Sequence, residues 1–276
     1  MNRVQTSVDG AVCYWTLTDF SRHEVLKQGF EAEGLGKLAP EPMPAGMALR
    51  TALSEALGTS TQLIRPLADD NAFSVVAETR GKQINDYQQV LYAKVDCKTR
   101  QIEFIPFDDR ADAIVARYNA RSGHVQSGQV GHSMVAVLAK MGGTALRKTG
   151  GVYFVPGSKI DAWERVATVV ERSAVSGVNK VYMIRHSMDE AAVRAVRDAI
   201  ANEILADAKR MDEELQEDEL GAKAIDTRKR QCVALQDKIA LYESILGESL
   251  KDLNQAVDAV QMALGRAMLH EMAGAA

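Results

Sequence analysis

From Ser187 onward the chain carries three apolar stripes at three- and four-residue steps, and no other feature limits its fold as strongly. Val193, Val196, Ile200, Ile204, Ala208, Met211 and Leu215 share one helical face. A helix of about 30 residues is about 45 Å long at the usual rise per residue. Cys232, Leu235, Ile239, Tyr242 and Leu246 then follow at strict a/d spacing, and Leu250, Leu253, Val257, Val260, Leu264 and Met268 form a third stripe. Gly221 and Gly247 mark the breaks. Each seam is narrow, so each helix needs a partner. Short breaks make neighbouring helices antiparallel. The stripes predict an antiparallel coiled-coil-like bundle over 187–276, opened by a Ser187–Glu190 capping box.

The preceding 186 residues read as an α+β domain, divisible into subdomains 1–122 and 130–186. Ala11–Leu17 has strand character. Ser21–Phe30 reads as a helix with Ser21 at its N-cap, and 34–46 as a loop. Met47–Leu57 is a short helix stopped by Gly58. Gln62–Leu67, Phe73–Thr79, Tyr87–Val95 and Gln101–Ile105 alternate as strands, the last pair joined by the turn Asp96–Arg100, and predict a small antiparallel sheet. Asp108 is placed to cap a helix running to Arg121, with Ile114, Val115 and Tyr118 on one face. After a loop at 122–132 come a helix at Ser133–Met141, a stop at Gly142-Gly143, and a strand at Val152–Val155. Ser158 and Asp161 open a helix with Ile160, Trp163, Val166 and Val170 at helical spacing. Lys180–Arg185 is a further strand, so 152–185 has the order of a βαβ unit.

Composition narrows the function classes. The net charge of −4 opposes a chain that binds nucleic acid over its whole surface, although a local basic face is compatible with it. Cys13, Cys97 and Cys232 are odd in number and widely spaced, which fits a reducing compartment. The N-terminal residues lack a signal-peptide core, and no apolar run is long enough to span a membrane. These features predict a cytoplasmic protein.

No catalytic motif survives inspection. The stretch 142–151 is Gly-rich, but Lys148-Thr149 leads into a strand where a phosphate loop would open a helix. It reads first as a helix end and a turn, and second as a basic tip, Arg147 and Lys148 with Tyr153, that touches phosphate or a protein partner. Lys180 and Arg185 extend that basic set. His124 and His132 share the 122–132 loop, which makes them the candidates for an enzymatic reading. No His, Cys or acidic residue stands near them at metal-ligand spacing. Asp108, Asp109 and Asp112 suit a helix N-terminus. The acidic run Asp212, Glu213, Glu214, Glu217, Asp218, Glu219 faces Arg228, Lys229 and Arg230 across the first helix break, a pattern of solvated helix ends with opposite charge. No cofactor is indicated.

The run Leu146-Arg147-Lys148-Thr149-Gly150-Gly151-Val152-Tyr153-Phe154-Val155-Pro156, followed by three long helices, resembles an uncharacterised bacterial and phage family associated with mobile elements. The similarity spans roughly residues 130–270. The resemblance implies a bacterial or phage protein and carries no catalytic residue with it. The leading expectation is a non-enzymatic assembly or adaptor protein that self-associates or docks a partner through Val193, Ile200, Ile204, Met211, Leu235, Ile239, Tyr242, Leu246, Leu253, Val257, Val260 and Leu264. The alternatives are a nucleic-acid-associated protein using Arg147, Lys148, Lys180 and Arg185, and an enzyme using the His124/His132 loop.

Overall fold

A computed structural model describes residues 10–58, 62–69, 71–80, 85–216 and 221–274. In chain order its strands are β1 (Gly10–Thr16), β2 (Phe20–Arg22), β3 (Gln62–Pro66), β4 (Ala72–Arg80), β5 (Asn85–Val95), β6 (Ile102–Ile105), β7 (His124–Gln126), β8 (Thr144–Ala145), β9 (Tyr153–Pro156) and β10 (Lys180–His186). The helices are α1 (His23–Ala32), α2 (Ala45–Leu57), α3 (Ala111–Arg121), α4 (Ser127–Lys140), α5 (Ile160–Arg172), α6 (Glu190–Gln216), α7 (Ala222–Leu246) and α8 (Lys251–Gly274). The class is α+β, with antiparallel sheets toward the N-terminus and a helical C-terminal region.

The compact units are assembled from separated stretches of chain. One holds the chain up to Trp15, Val135–Arg165 and everything from Val181 onward; the other holds Thr16–Met134 and Val166–Lys180.

In the second unit β3, β4, β5 and β6 form a four-stranded antiparallel sheet in sequence order. Leu91, Ala93 and Val95 alternate inward along β5 and pack with Phe73 and Val75 of β4. Ala48, Leu49, Ala52 and Leu53 of α2 and Ile114 and Tyr118 of α3 close that core. The four strands follow the alternation in the sequence. Gly58, at φ 72°, ends α2.

A buried amide organises the rest of this unit. Asn179 Nδ2 donates to the Val170 carbonyl at 2.9 Å and to Ser21 Oγ at 3.0 Å. Its Oδ1 accepts from the Thr18 backbone N–H at 2.8 Å. Ser21 and Asn179 are both buried, so these bonds replace water. This changes the role of Ser21, which belongs to strand β2 and not to a helix cap; α1 starts two residues later. Asp108 likewise stands ahead of α3, whose first turn follows Arg110, and its carboxylate is engaged by the Arg110 side chain at 2.7 and 2.8 Å.

In the first unit a four-stranded sheet has the order β10-β1-β9-β8. β9 is antiparallel to both neighbours, with Cys13 opposite Tyr153 and Thr144 opposite Phe154. The βαβ expectation is met only in part. β9 and β10 share a sheet and α5 connects them, but β1 is inserted between them. A strand brought from the far end of the chain leaves no mark in the local pattern of 152–185.

The three C-terminal helices share one core. Val196, Ile200, Ile204, Ala208 and Met211 of α6 meet Cys232, Leu235, Ile239 and Tyr242 of α7 and Leu253, Val257 and Val260 of α8. Leu264 is buried on α8, whereas Val193 and Leu246 are half-buried. Glu203 pairs with Lys238 and Glu214 with Arg228, so α6 and α7 run in opposite directions. The turn into α8 is held by Glu243. Its backbone carbonyl receives the Gly247 N–H at 2.9 Å, and its side chain receives the Leu250 N–H at 2.7 Å. The start of α6 departs from the capping-box reading. Asp189 Oδ1 accepts the Ala192 N–H at 2.8 Å, so the cap falls two residues later than Ser187.

Replacement of Asn179 by Ala leaves the Thr18 N–H without its acceptor and the buried Ser21 hydroxyl without its donor, while the Val170 carbonyl keeps its bonds from Ser173. The expected loss is about 2–4 kcal/mol of unfolding free energy, read as a lower denaturant midpoint at unchanged slope.

Candidate functional site

The Gly142-Gly143 stop brings the chain against α7 before it turns into β8. Gly142 has φ 78°, and a Cβ there would meet Leu241 Cδ2 at 2.6 Å; at Gly143 one would meet the Phe154 carbonyl oxygen at 2.8 Å. Two α7 side chains use this close approach. Tyr242 donates its hydroxyl to the Gly142 carbonyl at 2.9 Å, and Lys238 Nζ donates to the Gly143 carbonyl at 2.8 Å. Burial, with a smaller contribution from Glu203, pushes the Tyr242 phenol above its ordinary range. Glu203 of α6 completes the network, with Lys238 on Oε1 and the Thr144 hydroxyl on Oε2, each at 2.5 Å. Three segments distant in sequence are thereby fixed to one another within this unit.

Beyond β8 the chain forms a turn closed by the Leu146 N–H on the Val152 carbonyl at 2.9 Å. Arg147 folds back and its Nε donates to the Thr149 carbonyl. Gly150 makes room for this, because a Cβ there would fall 1.6 Å from an Arg147 guanidinium nitrogen, and its φ of 98° suits only glycine. Lys148 has no ion-pair partner among the described residues. Tyr153 stacks on Trp15 with ring centroids 5.0 Å apart and planes 3° apart. Desolvation, and secondarily Cys13, raises the Tyr153 phenol above its usual value.

Arg147, Lys148 and Tyr153 line one groove of about 520 Å³. Its apolar wall comes from Val135, Leu138 and Ala139 of α4 and from Leu146, and α6 contributes Ala195, Ala199, Asn202 and Ala206. These α6 positions step by four, three and four residues, on a face turned roughly 150° from the core stripe at about 100° per residue. Small side chains at every step leave the groove open. That stripe is legible in the sequence once the core stripe is removed, but it was masked by the stronger signal. Thr144, Glu203 and Lys238 carry no local motif.

Lys180 and Arg185 do not line this groove. Arg185 is paired with Glu164 at 2.6 Å, which holds its guanidinium firmly protonated. The expected basic set is therefore brought together in its 147–153 part. The histidine loop is corrected: His124 lies in β7, with Nδ1 2.9 Å from the Ala120 carbonyl oxygen, and His132 is exposed within α4, which begins at Ser127. At the first helix break Glu214 and Arg228 form an ion pair; Glu217, Asp218 and Glu219 lie outside the described residues. Among the described residues no group of three His, Cys, Asp or Glu side chains is placed to hold a metal. None of the helices described is long and apolar enough to cross a membrane.

The fold and groove define an α+β protein with a C-terminal helical region and an open, mostly apolar cleft. The chain belongs to a family of unknown function, DUF6744, whose model matches residues 10–274. No curated protein and no solved structure matches it.

Lys238→Met removes the partner of Glu203 and orphans the Gly143 carbonyl. Its expected effect is a loss of about 2–3 kcal/mol in unfolding free energy. Adding Glu203→Gln should restore part of that loss, and a double-mutant cycle in denaturant measures the coupling.

Proposed function

We propose that this chain is a non-enzymatic assembly protein that self-associates through its C-terminal helices. Most stripe residues from Val196 to Leu264 are buried within one chain, so in this reading the surface offered to a second chain is a different one. The observation that supports the reading is the outward face of α8, where Met262 is 64 % and Leu269 69 % exposed. Met262 and Leu269 are seven residues apart, so they lie on the same side of the helix. Large apolar side chains in line on a charged helix match the way helices join in trans as coiled coils. The arrangement of the three helices is itself of the antiparallel coiled-coil kind in this reading. The likeness of the 146–156 run to a bacterial and phage family suggests a mobile element as the setting, with the protein acting in the cytoplasm.

Sedimentation velocity over a concentration series tests this. The intact chain should form concentration-dependent oligomers. A Met262→Lys, Leu269→Lys variant should keep its circular dichroism and sediment as a monomer, its dissociation constant raised about 100-fold or more by the lost apolar burial. A wild-type chain that remains a monomer at every concentration overturns the proposal.

A further inference from the structure

The groove between α4, α6 and the 146–152 turn is separate from the α8 surface and has its own chemistry. Its wall is aliphatic: Val135, Leu138, Ala139 and Leu146 on one side, the alanines of α6 on the other. Its size falls within the range of small-ligand sites, about 300–1,000 Å³. The charges at its rim are unevenly committed. Glu203 is already bound on both oxygens, by Lys238 and Thr144, so it is a neutralised part of the frame. Asp198 also lines the groove, on the α6 side. On the opposite rim Arg147 is held by the Thr149 carbonyl, and Lys148 has no ion-pair partner among the described residues. Asn202 adds an amide on the α6 wall.

We propose that this groove binds a linear aliphatic monocarboxylate, its chain lying along the alanine stripe of α6 and its carboxylate meeting Lys148 and Arg147 at the turn. An aliphatic chain suits the wall because its burial needs no polar partner and the small side chains leave a continuous channel. The carboxylate suits the turn because a free ammonium beside a guanidinium forms charge-assisted hydrogen bonds that an alcohol cannot match. Gly150 matters to this site by letting Arg147 fold back over the turn.

Octanoate, octanol and octylammonium serve as probes on the intact protein. Binding is followed by titration calorimetry and by the fluorescence of Trp15, whose ring stacks on the groove residue Tyr153. Octanoate should bind saturably and about tenfold or more tighter than octanol, the difference expected of one charge-assisted contact. Lys148→Ala should remove most of that difference while leaving octanol binding unchanged. Ala206→Leu, on the exposed side of α6, should weaken both probes by filling the channel. Octanol or octylammonium binding as tightly as octanoate overturns the proposal. So does undiminished octanoate binding by the Lys148→Ala variant, or the absence of saturable binding. Because none of these variants touches Met262 or Leu269, the result is independent of self-association.

Discussion

The grip of two α7 side chains on the backbone at Gly142 and Gly143 is the constraint on which the candidate site depends. Lys238 and Tyr242 lie on successive turns of one helix and reach consecutive carbonyls. A carbonyl at a helix end has no partner within its own helix, and leaving it buried and unpaired is unfavourable. The Gly142 and Gly143 carbonyls stand just past the end of α4 and take their donors from another helix, so satisfying them also fixes where α7 lies against this turn. Glu203 extends the same network to α6 and to Thr144. The groove is the space these anchored segments leave open. An ion pair of this kind adds little net stability when compared with apolar residues of the same shape. Its contribution is geometric, because a carboxylate, an ammonium and a hydroxyl satisfy one another in few arrangements.

The helical core works by a different rule. It is apolar and non-directional, and it is filled by one chain. α6 is apolar in two directions, with a core stripe on one face and a stripe of small side chains on another. α8 also carries two apolar faces, one buried with α6 and α7 and one outward at Met262 and Leu269. A helix with a single narrow seam has one neighbour to find. One with two faces can complete its own fold and still present an apolar surface.

How much of this was legible depended on whether the cause was local. The seams of α6, α7 and α8 were readable because burial imposes the helical period on the residues that carry it. The four-stranded sheet of β3–β6 was readable because each strand follows its neighbour through a short connection. The tip at Arg147 and Lys148 was readable from glycine and charge, and Tyr153 joined it. The remainder involves residues far apart in the chain. Nothing near Tyr153 announces that β1 will lie beside it, nothing near Asn179 that Thr18 will, and nothing near Glu203 that Lys238 will. The His124–His132 segment misled for a local reason. Gly128 and Gly131 suggested a loop, yet Val130, Met134 and Val137 bury one side of the segment and hold it as helix.

The position of β1 bears on how the chain acquires its structure during synthesis. Cys13 pairs with Tyr153, about 140 residues later, and the Thr18 N–H waits for an amide 161 positions away. At ordinary ribosomal rates those partners emerge roughly ten to thirty seconds after β1 has left the exit tunnel. The β3–β6 sheet with α2 and α3 is encoded within that interval and has all its strands at hand. The first of the described strands is thus among the last to be paired. Until then its unpaired N–H and C=O groups are an open edge on which another chain could pair.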